Sequence, residues 1–190
     1  GTWRKPRPRV GETPLRGEPL CPAHPVTRET RLDTAPRFRL SVKAVIIRDQ
    51  AVLLTVNRDQ WGEFLLLPGG GQEFGESMAE ALVRECQEEL GCTIVVGDLL
   101  GARDYIGARH EFAAYDAQFH QVEIIFSAEL APGAVPHYGQ LPDQEHDWAQ
   151  TGVEWVPLAE LPQRRVYPAA LKDWLLTLPR PARRYLGPVN

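Results

Sequence analysis

Residues 70–92 read GGQEFGESMAEALVRECQEELGC, and the fold is decided there. From Ser77 onward the stretch carries helix signals at both ends. Ser77 can cap the first turn and Glu80, three residues on, can reach back to it, which makes a capping box. Gly91 is a natural C-terminal stop. Ala79, Leu82, Val83, Cys86 and Leu90 recur at helical period and form an apolar stripe. Glu85, Glu88 and Glu89 fall at i, i+3 and i+4, so their carboxylates share one face beside that stripe. Directly upstream, Pro68-Gly69-Gly70-Gly71 can turn sharply and approach a ligand closely. A glycine-rich turn feeding a carboxylate-faced helix suits a divalent metal acting on phosphates. The plain alternative is a solvated acidic helix face, which leaves the glycines and Arg84 at their spacing unexplained.

Working outward, Phe38 to Arg48 and Ala51 to Val56 are rich in β-formers, and Arg48-Asp49-Gln50 between them predicts a hairpin turn. Glu63 to Leu67 is a short apolar strand leading into the glycines. Beyond the helix, Thr93 to Val96, Leu99 to Ile106 and Gln121 to Leu130 read as strands. Ala131 to Thr151 is a long polar loop containing Asp143, Glu145, Asp147 and Trp148, and loops of that length in compact domains are commonly functional. Val153 to Val156 is a last strand. Pro168 to Leu178 is a second amphipathic helix with Leu171, Trp174, Leu175 and Leu178 apolar. Strands and helices in this order predict an α/β domain with a mixed sheet between helices.

The ends differ from this middle. Residues 1–36 hold seven of the 17 prolines and seven Lys/Arg against four Asp/Glu, the composition of an extended arm. Residues 37–178 form the domain, and 179–190, with three prolines and Arg183-Arg184, read as a tail.

At 190 residues, 43% hydrophobic and 24% charged, the chain can build one real core. A net charge of −4 argues against a general nucleic-acid binder. It leaves room for a phosphorylated small molecule, because a bound cation reverses the local field. Cys21, Cys86 and Cys92 are sparse and odd in number, with no CxxC, so they are expected to be reduced, small apolar side chains. That usage fits a cytoplasmic setting. No apolar run is long enough to span a bilayer, and the first residues lack the apolar core of a signal peptide.

The 23-residue stretch resembles the signature of the Nudix (MutT-like) hydrolase family, G-x5-E-x7-R-E-U-x-E-E-x-G-U with U bulky and apolar. Gly70, Glu76, Arg84-Glu85, Glu88-Glu89 and Gly91 fill every glycine and charged position. Cys86 and Cys92 stand where Leu, Ile or Val is usual. The segment VEWVPLAEL (Val153 to Leu161) also looks like that family's framework. The resemblance implies a Nudix-type α/β/α sandwich with a mixed β-sheet. It also implies Mg²⁺-dependent, in some members Mn²⁺-dependent, hydrolysis of a nucleoside diphosphate linked to another moiety: a nucleotide sugar, a dinucleotide or a (d)NTP. By position, Glu88 and Glu89 resemble the metal ligands, and Glu85 a further ligand or the base that activates water. The carbonyl of Gly69 or Gly70 is a further ligand in this reading, and Arg84 ties loop to helix through Glu76. Glu145 in the long loop is the outside candidate for the base, with Asp143 and Asp147 behind it. Many relatives are homodimers, so a homodimer is the expected assembly by analogy. The competing reading is a nucleotide-sensing or protein-binding module on the same fold, which usually lacks the box acids.

Outside the motif the residues say less. Trp61 is read as a pocket wall, Trp148 as a lid residue, Trp155 and Trp174 as core, and His110 and His120 as structural. The chain has no proline between Cys92 and Ala131, where ADP-ribose enzymes often carry one, and Tyr105 and Tyr115 straddle the tyrosine position of diadenosine-polyphosphate enzymes. No subfamily follows from these.

Overall fold

The computed structural model describes residues 36–109, 113–138, 149–181 and 183–189, all within one compact unit spanning residues 34–190. The elements run β1 (Arg37–Val45), β2 (Ile47–Arg48), β3 (Ala51–Asp59), β4 (Gly62–Leu66), α1 (Met78–Leu90), β5 (Ile94–Ile106), α2 (Ala113–Asp116), β6 (Phe119–Leu130), β7 (Ala149–Pro157) and α3 (Leu171–Leu175). A six-residue 3₁₀ helix, Leu158–Gln163, links β7 to the last segment.

The first predicted strand is two. β1 pairs in parallel with β6, from Arg37↔Phe119 to Val45↔Ser127. β2 folds back on β3 in a second sheet. Asp49 and Gln50 sit at φ 50° and 60°, the two left-handed residues of a tight hairpin turn. The chain therefore leaves one sheet at Ile46 and enters the other within two residues. β5 joins β6 antiparallel, and β3 is flanked by β4 and β7, both antiparallel. The sheet arrangement is mixed, as expected. Val96 and Leu99 lie on one strand, not two, with register irregularities between Val96, Leu99 and Gly101.

Neighbouring residues feed two cores because a strand alternates its side chains. Val42, Ala44 and Leu53 pack with Ala81, Leu82, Cys86 and Leu90 of α1. Val45, Val52 and Leu54 pack with Leu161, Leu171, Trp174 and Leu175. Helical layers thus cover both faces. The predicted stripe on α1 shifts slightly, since Ala79 is exposed and Ala81 is buried in its place. The helix expected over Pro168 to Leu178 is a five-residue α-helix within a turn-rich segment. Trp174 is buried, whereas Trp155 is half-buried under the Arg48 guanidinium, 4.5 Å from the ring centroid. Cys86 and Cys92 are buried free thiols. Among the described residues no helix is long and apolar enough to cross a membrane.

Residues 183–189 lie along the outer edge of β5. Ala102 N–H donates to the Arg184 carbonyl at 2.7 Å, Leu186 N–H to Ala102 at 2.9 Å, and Asp104 N–H to Gly187 at 3.1 Å. Trp174 Nε1 donates to the Arg183 carbonyl at 2.9 Å, and Arg103 reaches the Val189 carbonyl at 2.9 Å.

The start of α1 is closed as its sequence predicts. Glu80 N–H donates to Ser77 Oγ at 3.3 Å, and Ser77 N–H donates to Glu80 Oε2 at 2.7 Å. Ser77→Ala should lower stability by about 1 kcal/mol, read as a shift in the urea midpoint without a change of slope. An unmoved midpoint would leave the box without energetic weight.

Candidate metal and phosphate site

The glycine run leaves β4, passes antiparallel alongside residues 40–44 of β1 and leads on to α1, which brings the box residues together. Arg84, on the second turn of α1, organises them. Its Nη2 donates to Glu76 Oε1 at 2.7 Å and to the Gly71 carbonyl at 2.9 Å, and its Nε donates to Glu76 Oε2 at 3.2 Å. Its Nη1 donates to Glu85 at 2.9 Å and lies 3.5 Å from Glu88. Loop and helix are thereby tied through one guanidinium, whose fork suits two carboxylates at once. Arg84 holds Glu76 below the usual carboxylate range, helped by the Glu73 N–H at 2.6 Å.

The three acids have different surroundings. Glu85 is 14% exposed and its carboxylate fills the space that a Cβ on Gly70 would need. Glu88 is 39% exposed, with Arg84 as its ion-pair neighbour. Glu89 accepts the Gly69 N–H at 2.7 Å. Burial pushes the Glu89 carboxyl up to about 7, against the pull of Lys43 and the Gly69 N–H, while Glu85 and Glu88 add repulsion. Desolvation disfavours the charged form and dominates here. Burial likewise raises the Cys86 thiol, so Cys86 is packing and not a nucleophile.

The carbonyls of the turn are unequal. Gly70 O accepts both the Val42 N–H at 2.9 Å and the Ser41 hydroxyl at 2.9 Å. Gly69 O accepts the Lys43 ammonium. A cation is thus already seated on the carbonyl of Gly69, the same residue whose N–H holds Glu89. Among the described residues no three His, Cys, Asp or Glu side chains converge into a closed metal cage. The donor set instead offers the three carboxylates of α1, not gathered round one point, and a carbonyl, all hard oxygens. That fits Mg²⁺, which keeps several waters and takes substrate phosphates as its remaining ligands. Glu85, Glu88, Glu89 and the Gly69 carbonyl are the groups that would hold it.

Of the other predicted residues, Glu145, Asp143, Asp147, Trp148 and His110 lie outside the described residues. Trp61 is 62% exposed at the β3–β4 turn. His120 Nε2 is 3.3 Å from Asp104 Oδ1, a pairing between β6 and β5. Sequence reading passed over Ser41 and Lys43. Their signal was present: Arg39, Ser41 and Lys43 interrupt an apolar strand at every second residue, which marks one polar face.

Glu89 yields a pH expectation. Its raised carboxyl means that the folded state holds a proton that the unfolded chain releases at lower pH. Its contribution to stability is therefore lost as pH rises from the ordinary carboxylate range through about 7. In chelator, Glu89→Gln should melt close to wild type at pH 5 and above it at pH 8. A melting difference that stays constant between those pH values would refute the raised carboxyl.

Comparison with known proteins agrees with the motif. The NUDIX domain family profile matches residues 37–176. The Bacillus subtilis protein YjhB is 26% identical over 137 residues, covering 72% of this chain and 56% of that protein. An ADP-ribose pyrophosphatase of Methanocaldococcus jannaschii is 30% identical over 95 residues, covering 50% of this chain and 52% of that protein. The chain spans about half the length of these curated relatives. Among solved structures, a MutT NUDIX hydrolase from Burkholderia pseudomallei is 26% identical with a TM-score of 0.54, covering 72% of this chain and 95% of that one.

Proposed function

The chain belongs to the Nudix family, and on that footing we propose that it is a Mg²⁺-dependent pyrophosphohydrolase. Its substrate would be a nucleoside diphosphate linked to another moiety. The observation that carries this reading is the intact acid set on α1, clasped to the glycine turn by Arg84 and Gly69. Binding-only modules on this fold usually lack those acids.

When bound, Mg²⁺ neutralises a diphosphate and lowers the pKa of a coordinated water. The residues of the chain divide the remaining work. Glu88, with its side chain 39% exposed, would be a carboxylate ligand to the ion. Glu89 loses its proton near neutral pH and offers a carboxylate. The Gly69 carbonyl supplies a neutral oxygen. Arg84 is a positioning residue, which keeps Glu85 turned toward the glycines. Either Glu85 or Glu145 takes the proton of the attacking water, and a base must sit within hydrogen-bond reach of that water.

ADP-ribose heads the substrates to test, because the M. jannaschii relative is named for it. The experiment is a panel of ADP-ribose, nucleotide sugars, dinucleotides and (d)NTPs with Mg²⁺ in ¹⁸O water, reading which phosphorus gains the label. Label in one product of a diphosphate linkage is the expected result. Tight nucleotide binding without any cleavage would favour the sensing module instead.

A further inference from the structure

The polar face of β1 runs in step with the glycine turn. Lys43 donates to the Gly69 carbonyl, Ser41 donates to Gly70, and the Arg39 guanidinium borders Gly71. Ser41 shares the Gly70 carbonyl with the Val42 N–H, so both lone pairs of that oxygen are used. Gly69 differs: Lys43 is its carbonyl's partner, and its N–H is committed to Glu89 at 2.7 Å. The residue thus joins an acid of the cluster to a lysine side chain. Lys43 is partly buried and comes from a strand hydrogen-bonded alongside the turn through Ala44 N–H to Pro68 and Val42 N–H to Gly70, which keeps its ammonium close to the Gly69 carbonyl.

We propose that Lys43 is a positioning residue that sets the metal affinity of this site by competing with a divalent cation for the Gly69 carbonyl. An ammonium and a divalent ion beside one oxygen repel each other, and partial burial weakens the screening of that repulsion. The ion therefore binds less tightly than its oxygen ligands alone would allow. A phosphorylated substrate offsets the excess positive charge, which links ion loading to substrate arrival. This rests on the reading of the acid cluster as a metal site.

The test titrates Mn²⁺ alone into the full chain and follows free ion by EPR, comparing wild type with Lys43→Met, Lys43→Gln, Lys43→Arg and Glu88→Gln. Lys43→Met and Lys43→Gln should bind Mn²⁺ about tenfold more tightly, whereas Lys43→Arg, which keeps the charge, should stay within about twofold of wild type. Glu88→Gln should bind more weakly. A lysine that only braces the turn would lower the melting temperature in chelator without tightening Mn²⁺. If the neutral variants bind like wild type or worse while Glu88→Gln still weakens the ion, the role of Lys43 is overturned and the metal site stands. If wild type takes up no Mn²⁺, both fall. Should Lys43→Met fail to fold, shown by circular dichroism, Lys43→Gln decides alone.

Discussion

Glu88→Gln is expected to lower turnover about 10³-fold, roughly 4 kcal/mol of lost transition-state stabilisation. The substitution keeps size and shape and removes the charge that a divalent ion needs. Stability should barely move. Glu88 is 39% exposed and its ion-pair neighbour is Arg84 at 3.5 Å, an i,i+4 contact worth about 0.3–0.5 kcal/mol. The same separation applies to ion binding and melting in chelator: the first weakens, the second holds. Turnover within a few-fold of wild type on the best substrate would remove Glu88 from the metal site.

Gly69→Ala should show the opposite pattern, a loss that begins in the fold. Gly69 has φ 121°, a conformation L-residues rarely adopt. Its new Cβ would run into the Val42 carbonyl and stand 3.1 Å from both Leu82 Cδ1 and Lys43 Cα. Backbone strain and overpacking each cost about 1–3 kcal/mol. Their sum corresponds to a fall in Tm of roughly 10 °C for a chain of this length, with hydrolysis lost as well. Gly75→Ala is the control. Gly75 also has positive φ, at 95°, but open space around it, so only the strain applies. If the two variants melt together, the tight approach of the turn to β1 is wrong.

The sequence made the site legible because its chemistry sits in one continuous stretch. Ser77, Glu80 and Gly91 set the limits of α1, and the resemblance to the Nudix signature implied the pairing of Glu76 with Arg84. What stayed hidden lies between distant segments. Nothing local in Phe38 to Arg48 says that Val45 pairs with Ser127 while Ile47 pairs with Val52. A period-two pattern marks a strand and not the sheet it joins. Lys43 was visible as a polar residue in an apolar strand, but its meaning required the glycine turn beside it. The second helix was overread because Leu171, Trp174, Leu175 and Leu178 keep helical spacing across a segment bounded by Pro168 and Pro179. Tertiary packing shortened it to one and a half turns.

The strip from Arg183 to Val189 closes a seam that would otherwise stay open. By occupying amides of β5 it removes a template on which a foreign strand could dock. Two copies of the chain cannot pair edge to edge over Ala102 to Asp104 while the strip is in place, and a reporter or purification handle fused behind this strip would tug at the seam that shields that part of the sheet.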